Sequence, residues 1–252
     1  MISRHAAGLV AWCAVALAAC APNRSTVYVS ALAEGDRAHA AGREREAAGA
    51  YDEAAHATTR PLDRDEATYR AAMAWRHVGD TAASLERFDW LTTHAQRWER
   101  GERAAFEAGR MRLESTDATV SARGATDLEA LVVRSPDTGP ARRAVDLLLE
   151  RLDGSDPSGA AALAWIEETE PRVHGHDLEI ALRWLRARRL EALGRDDAAL
   201  AAYEQLLEIP YPRNMHWDDG GLAFALHLRS LGRPADALSV IERILSRREV
   251  AA

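Results

Sequence analysis

The chain contains no lysine: all 32 of its basic residues are arginine. With abundant alanine, that bias reflects base composition more than function. Cysteine is scarce too, with Cys13 and Cys20 as the only two. A disulfide, a thiolate metal site or a cysteine nucleophile needs a thiol in the folded body, and none is available beyond Cys20. Positive charge is not in excess. The formal net charge of −7 argues against a general nucleic-acid binder, whose footprint is basic, and gives no attraction to an anionic membrane surface. No apolar run reaches the roughly 20 residues that a spanning helix needs. Runs of β-branched residues are absent, which disfavours sheet. There is no phosphate-binding loop, no dinucleotide-type glycine motif, no G-x-S-x-G and no H-E-x-x-H. The sequence therefore predicts neither an enzyme, nor a cofactor, nor a small-molecule substrate.

What is present starts at the amino terminus. Arg4 gives a short positive segment, and residues 6–16 form an uncharged apolar run of signal-peptide length. Leu17-Ala18-Ala19-Cys20 follows and resembles the lipobox of bacterial prolipoproteins. The resemblance implies that residues 1–19 are a signal peptide, cleaved before Cys20. It also implies a diacylglyceryl thioether on the Cys20 sulfur and an acyl group on the new amino terminus. Two or more acyl chains anchor a protein stably. Ala21, where an aspartate would resemble an inner-membrane retention signal, points to the periplasmic face of the outer membrane. Residues 20–29 read as the lipidated cysteine and a short tether. The segment from Ala21 to Ser30 spans about 33 Å at most if fully extended, so the folded part stays near its membrane.

Beyond the tether, alanine, leucine, arginine and glutamate dominate, and almost everything reads as helix. Gly42 and Gly79 each separate two apolar-periodic helices and lie 37 residues apart; Gly194 and Gly232 do the same, 38 apart. Prolines close the second helix of a pair at Pro61, Pro136, Pro171 and Pro210, with gaps of 75, 35 and 39. Around the glycines, packing residues recur: Ala47, Tyr51 and Ala54; Ser84, Phe88 and Leu91; Ala199, Tyr203 and Leu206; Ala237, Ile241 and Ile244. This resembles the tetratricopeptide repeat, a helix–turn–helix unit of about 34 residues. The resemblance implies an all-α, right-handed α-solenoid of about six such units over residues 30–250, with a concave face lined mainly by the first helix of each pair. Four units are clear. The stretch 101–175 is degenerate: a helix from Glu102 to Glu114, a long turn, a second helix around Thr126 to Val133, then helices near 141–152 and 158–169. The last helix places Leu238, Ile241, Ile244 and Leu245 on one side and Glu242, Arg243, Ser246 and Arg247 on the other, which predicts a polar outer face ending the stack.

Few constellations carry chemistry. The first helix of the fifth unit is locally basic, with Arg183, Arg186, Arg188 and Arg189. Arg183 and Arg186, with Trp184 beside them, are the candidate partner-binding residues, clamping a peptide carboxylate as other repeats of this family do. The alternative is a solvated, salt-bridge-laced face. His174-Gly175-His176-Asp177 and His216-Trp217-Asp218-Asp219 each precede a first helix, at the same end of adjacent units. His174, His176 and His216 are the candidate metal ligands, of nitrogen/oxygen type. In the competing reading the aspartates cap helices and the histidines are solvated. Outside the signal lie Trp75, Trp90, Trp98, Trp165, Trp184 and Trp217; most belong in the core, and an exposed one would be a binding hot spot.

These features predict a non-enzymatic, membrane-anchored scaffold that binds other cell-envelope proteins. The β-barrel assembly lipoproteins of the outer membrane are similar in size, anchor and repeat type, though no residue motif makes that likeness specific. The alternative is an accessory or activator of a peptidoglycan enzyme, binding glycan or a hydrolase.

Overall fold

The computed structural model describes residues 24–209 and 216–251, with side chains described as far as Ser246. The predicted signal peptide, Cys20 and the first tether residues lie outside the described residues. Those described fold into twelve α-helices that form six consecutive antiparallel pairs, with no strand among them. The chain divides into two compact units, residues 1–104 and 105–252.

In the first unit, α1 spans Thr26–Ala40, α2 Glu44–Ala57, α3 Pro61–Val78 and α4 Thr81–His94; α5, Trp98–Leu113, begins there. The predicted tether is thereby shortened. Ser25 caps α1, its hydroxyl accepting from the Tyr28 backbone N–H at 3.1 Å. Tyr28 is buried, and Arg24 is paired with Asp63 at 3.0 Å. A capping serine followed by an apolar face starts a helix as soon as there is a core to bury it in. The two turns have a common construction. Gly42 and Gly79 take φ of +71° and +83°, a left-handed conformation that L side chains resist. The next residue's N–H reaches back to the helix: Arg43 to Ala38 O at 2.9 Å, Asp80 to Trp75 O at 3.0 Å. Each turn reverses the chain tightly, so consecutive helices pack along their length. Alanines at the contacts (Ala38, Ala47, Ala48, Ala71 and Ala74) let the backbones approach around Tyr51.

The second unit holds the rest of α5, then α6 (Ala118–Arg134), α7 (Gly139–Ser155), α8 (Ala160–Thr169), a 3-10 turn (Glu170–Val173), α9 (Asp177–Ala192), α10 (Asp196–Glu208), α11 (Trp217–Ser230) and α12 (Pro234–Ala251). The region that looked degenerate holds two complete helix pairs, α5 with α6 and α7 with α8. In the first of them the turn is short. Its second helix starts eight residues before the predicted Thr126, because the Asp117 carboxylate accepts from the N–H groups of Thr119 and Val120. The predicted long turn is four residues. Gly124 lies inside α6 because a Cβ there would sit 2.3 Å from the Leu113 backbone nitrogen. The glycine marks a helix crossing and not a break.

The repeat residues are the core. Ala47, Ala54, Ser84, Phe88, Leu91, Ala199, Tyr203 and Leu206 are all essentially inaccessible. The C-terminal pair departs from expectation. Gly221 leaves room for Ile244, whose Cδ1 lies 1.9 Å from where a glycine-to-alanine Cβ would be. That contact turns the Val240–Ile244 row inward. Leu238 and Leu245 are left outside, 59 % and 55 % exposed. The predicted polar outer face is therefore partly apolar, and Leu222 and Leu226 of α11 are exposed as well.

Candidate partner-binding groove

Arg183 and Arg186 are committed inside the second unit. Arg183 donates from Nη2 to Glu179 at 2.5 Å and from Nε to Glu170 at 3.1 Å. Arg186 lies 2.8 Å from the other Glu170 oxygen and donates to Gln205 Oε1 at 2.5 Å. Glu170 and Glu179 are themselves buried, so the two cations neutralise carboxylates that would otherwise be stranded in the interior. Burial alone would raise the Glu179 pKa. The backbone N–H of Gly175, His174 and the Arg183 charge outweigh it and hold the group below the usual glutamate range. Charge counted along α9 overlooks this, because Glu170 comes from the 3-10 turn before it. Trp184 is half-buried against the core; its ring stacks on His216 at 5.7 Å and meets Tyr203 edge-on at 6.2 Å.

The three loop histidines are not brought together. His174 faces Glu179 at 3.0 Å, His176 faces Asp137 at 2.8 Å, and His216 lies on Trp184. Each is held by its own neighbour, and the three candidate ligands do not share a site among the described residues. Nor does Asp177 cap its helix. It is the first helical residue of α9, and its N–H donates to Asp137 at 3.0 Å. Trp217, expected in a loop, opens α11 and is buried, 1 % exposed. Burial of His216 lowers its pKa against the pull of Asp219.

The feature that offers itself to a ligand lies in the first unit. Helices α1 and α3 and the start of α5 present one face, carrying two adjacent cavities of about 360 Å³ each. Glu66, Arg70 and Arg100 line both. A chain of ion pairs forms the floor between them: Arg70 to Asp36 at 2.6 Å, Arg70 to Glu66 at 2.7 Å, and Arg100 to the second Glu66 oxygen. Tyrosines support this floor. The Tyr51 hydroxyl donates to Asp36 at 2.8 Å, and its pKa is pushed up to about 12 by burial and by that carboxylate. The Arg100 guanidinium lies over the Tyr69 ring at 4.7 Å.

One end of the groove is basic and apolar. Arg97 and Leu62 line it; Leu62 is 48 % exposed, and Arg97 has no ion pair among the described residues. Trp98, the next residue, is 62 % exposed, unusual for so large a ring. Asp65 is buried beneath: one oxygen accepts from the Gln96 N–H at 2.7 Å, and the other has no hydrogen-bond partner among the described residues. Trp98 was legible as a tryptophan, but its exposure was not, since a helix's first turn can face core or solvent.

Six antiparallel pairs, five of them turning at a left-handed glycine, with small-residue contacts, define an all-α protein of tetratricopeptide-like helical repeats. No protein-family model and no curated protein matches the sequence. Among solved structures the chain is similar to TTC0263, a thermophilic TPR protein of Thermus thermophilus, at 20% identity over 87% of this chain and 91% of that one, with a TM-score of 0.34. It is also similar to MamA MSR-1 C2, at 16% identity over 89% and 98% of the two chains, with a TM-score of 0.27. The class rests on the helix pairs themselves and not on these loose likenesses.

Proposed function

We propose that this protein is a non-catalytic, lipid-tethered adaptor that holds cell-envelope proteins on the groove of its first unit. The observation that carries the reading is the end of that groove, lined by an exposed leucine and an unpaired arginine whose neighbour in the chain, Trp98, is exposed. Tryptophan and arginine dominate binding hot spots, because one buries a large area and the other forms directional charge-assisted bonds. The lipobox-like segment ending at Cys20 supplies the anchor, and the short tether confines partners to the membrane face, by this reading the periplasmic side of the outer membrane. Among the described residues no helix is long and apolar enough to cross a membrane, so attachment in this reading comes from the acyl chains.

Two variants of the intact protein test the reading. Cys20→Ser is expected to move the protein from the membrane fraction to the soluble one with its helical content unchanged. Arg97→Glu with Trp98→Ala is expected to leave it on the membrane and to reduce crosslinking to envelope proteins by about tenfold or more. Crosslinking unchanged in the double variant would remove the groove from the proposal. Retention on isolated sacculi with no protein captured would favour the peptidoglycan alternative.

A further inference from the structure

The other end of the same groove carries a second cluster, unrelated to the histidines singled out in the sequence. His39 lies in the last turn of α1, Glu44 opens α2, and His77 lies in the last turn of α3. The Gly42 turn folds Glu44 back onto His39, and the pairing of α1 with α3 through α2 brings His77 alongside. His39 Nδ1 is 2.9 Å and 3.0 Å from the two Glu44 oxygens, and His77 Nδ1 is 3.7 Å from the second of them. Ligand atoms from all three residues lie within 4.8 Å of one another, the one such group among the described residues. The imidazole rings are nearly parallel, 8° apart, with centroids separated by 6.2 Å.

We infer that His39, Glu44 and His77 form a binding site for a borderline divalent transition-metal ion, zinc above all. Three lines of chemistry converge. Two imidazoles and one carboxylate are a donor set that zinc takes, whereas calcium and magnesium call for oxygen-rich sets. Metal–ligand bonds of about 2.0–2.1 Å in a tetrahedron place ligand atoms roughly 3.3 Å apart. The separations of the two imidazoles from the Glu44 carboxylate, 2.9 Å and 3.7 Å, straddle that value, and the ligand atoms of all three residues lie within 4.8 Å of one another, so the site closes by rotation of the two exposed imidazoles toward a shared ion. Both histidines also sit at the carboxyl-terminal ends of their helices, where the backbone dipoles favour a cation. Three protein ligands leave a fourth position. Both imidazoles line the cavity that also holds Tyr69 and Arg70, so that position opens toward the groove, for water or a ligand from whatever occupies it.

A surface ion pair between His39 and Glu44 is the competing account, and it predicts no metal preference. The test is calorimetric titration of zinc into the intact, tagless protein in detergent after chelator treatment. One zinc per chain is expected, and cobalt in its place is expected to give the intense visible absorption of a tetrahedral site. His77→Ala and Glu44→Gln are each expected to weaken zinc binding tenfold or more. His174→Ala with His176→Ala is expected to leave it unchanged. Circular dichroism of each variant confirms its fold. Should His77→Ala not fold, His77→Gln and protection of His39 and His77 by zinc against diethyl pyrocarbonate give the same reading. Absence of saturable binding, or binding indifferent to His77 and Glu44, would overturn the site. Partner capture is a separate measurement, so the metal site and the adaptor reading stand or fall independently.

Discussion

Two glycines in helix interiors show how much one hydrogen can decide. Gly124 sits where α5 and α6 cross: a Cβ there would meet Leu113 N at 2.3 Å and Gly109 O at 2.7 Å. Both are backbone atoms, which cannot move aside as a side-chain tip can. Gly49, on the exposed face of α2, has nothing within 4 Å of the same position. Gly124→Ala is therefore expected to cost about 1–3 kcal/mol through overpacking. Gly49→Ala is expected to gain about 0.5–1 kcal/mol through helix propensity and a less free unfolded chain. Urea unfolding of the two variants checks the pair, and equal effects would mean that the α5–α6 contact is looser than described. Nothing in the sequence distinguishes these residues. Both are glycines within helical patterns, and only the neighbouring helix separates them.

At the scale of the element, α9 is held by its carboxylates as much as by its apolar face. Arg183→Ala leaves Glu170 and Glu179 buried without one of their partners and is expected to destabilise the second unit by about 1–3 kcal/mol. In the adaptor reading, partner capture is expected to be unaffected, because a guanidinium engaged on two internal carboxylates has no charge to spare. Loss of capture at full stability would return Arg183 to the binding surface. Glu179 adds a pH dependence of definite sign. Its folded pKa lies below the unfolded value, so the folded state binds fewer protons. The resulting stability is present above the ordinary glutamate range of about 4.3 and is lost as pH falls through the lowered folded value. Glu179→Gln is expected to flatten that part of the stability–pH curve between neutrality and the acid limb, as followed by thermal melting. The basic run in α9 was plain in the sequence. Its function as a counter-charge was not, because Glu170 reaches it through a turn that a helix-by-helix tally does not count.

For the whole molecule the decisive residue is Cys20. In the proposed reading, cleavage at the lipobox-like site would remove Cys13, and thioether formation would consume the remaining sulfur. Protein extracted from membranes and unfolded in urea is therefore expected to show no thiol reactive toward Ellman's reagent. One reactive thiol per chain would mean that Cys20 carries no lipid. Helix α1 starts inside the segment the sequence reads as tether, since Ser25 caps it and Arg24 is tied to Asp63. In the adaptor reading, a shorter tether tightens the confinement and would hold the first unit, with its groove, near the bilayer.

The sequence by itself determined the helical class, the number of helix pairs and the residues at their contacts. These follow from local rules: apolar spacing at the helical period, glycine at left-handed turns, and small residues where backbones meet. It also carried the lipobox-like segment, a linear signal that needs no fold to be read. Only the tertiary structure decided which charges are spent and which are free. It joined Arg183 to Glu170, kept the loop histidines apart and turned Leu238 outward. It exposed Trp98 beside Arg97 and brought His39, Glu44 and His77 from three helices to one end of the groove. The physical reason is that burial and charge pairing depend on contacts between segments distant in the chain, and the period of a helix does not encode how it is rotated against its neighbours.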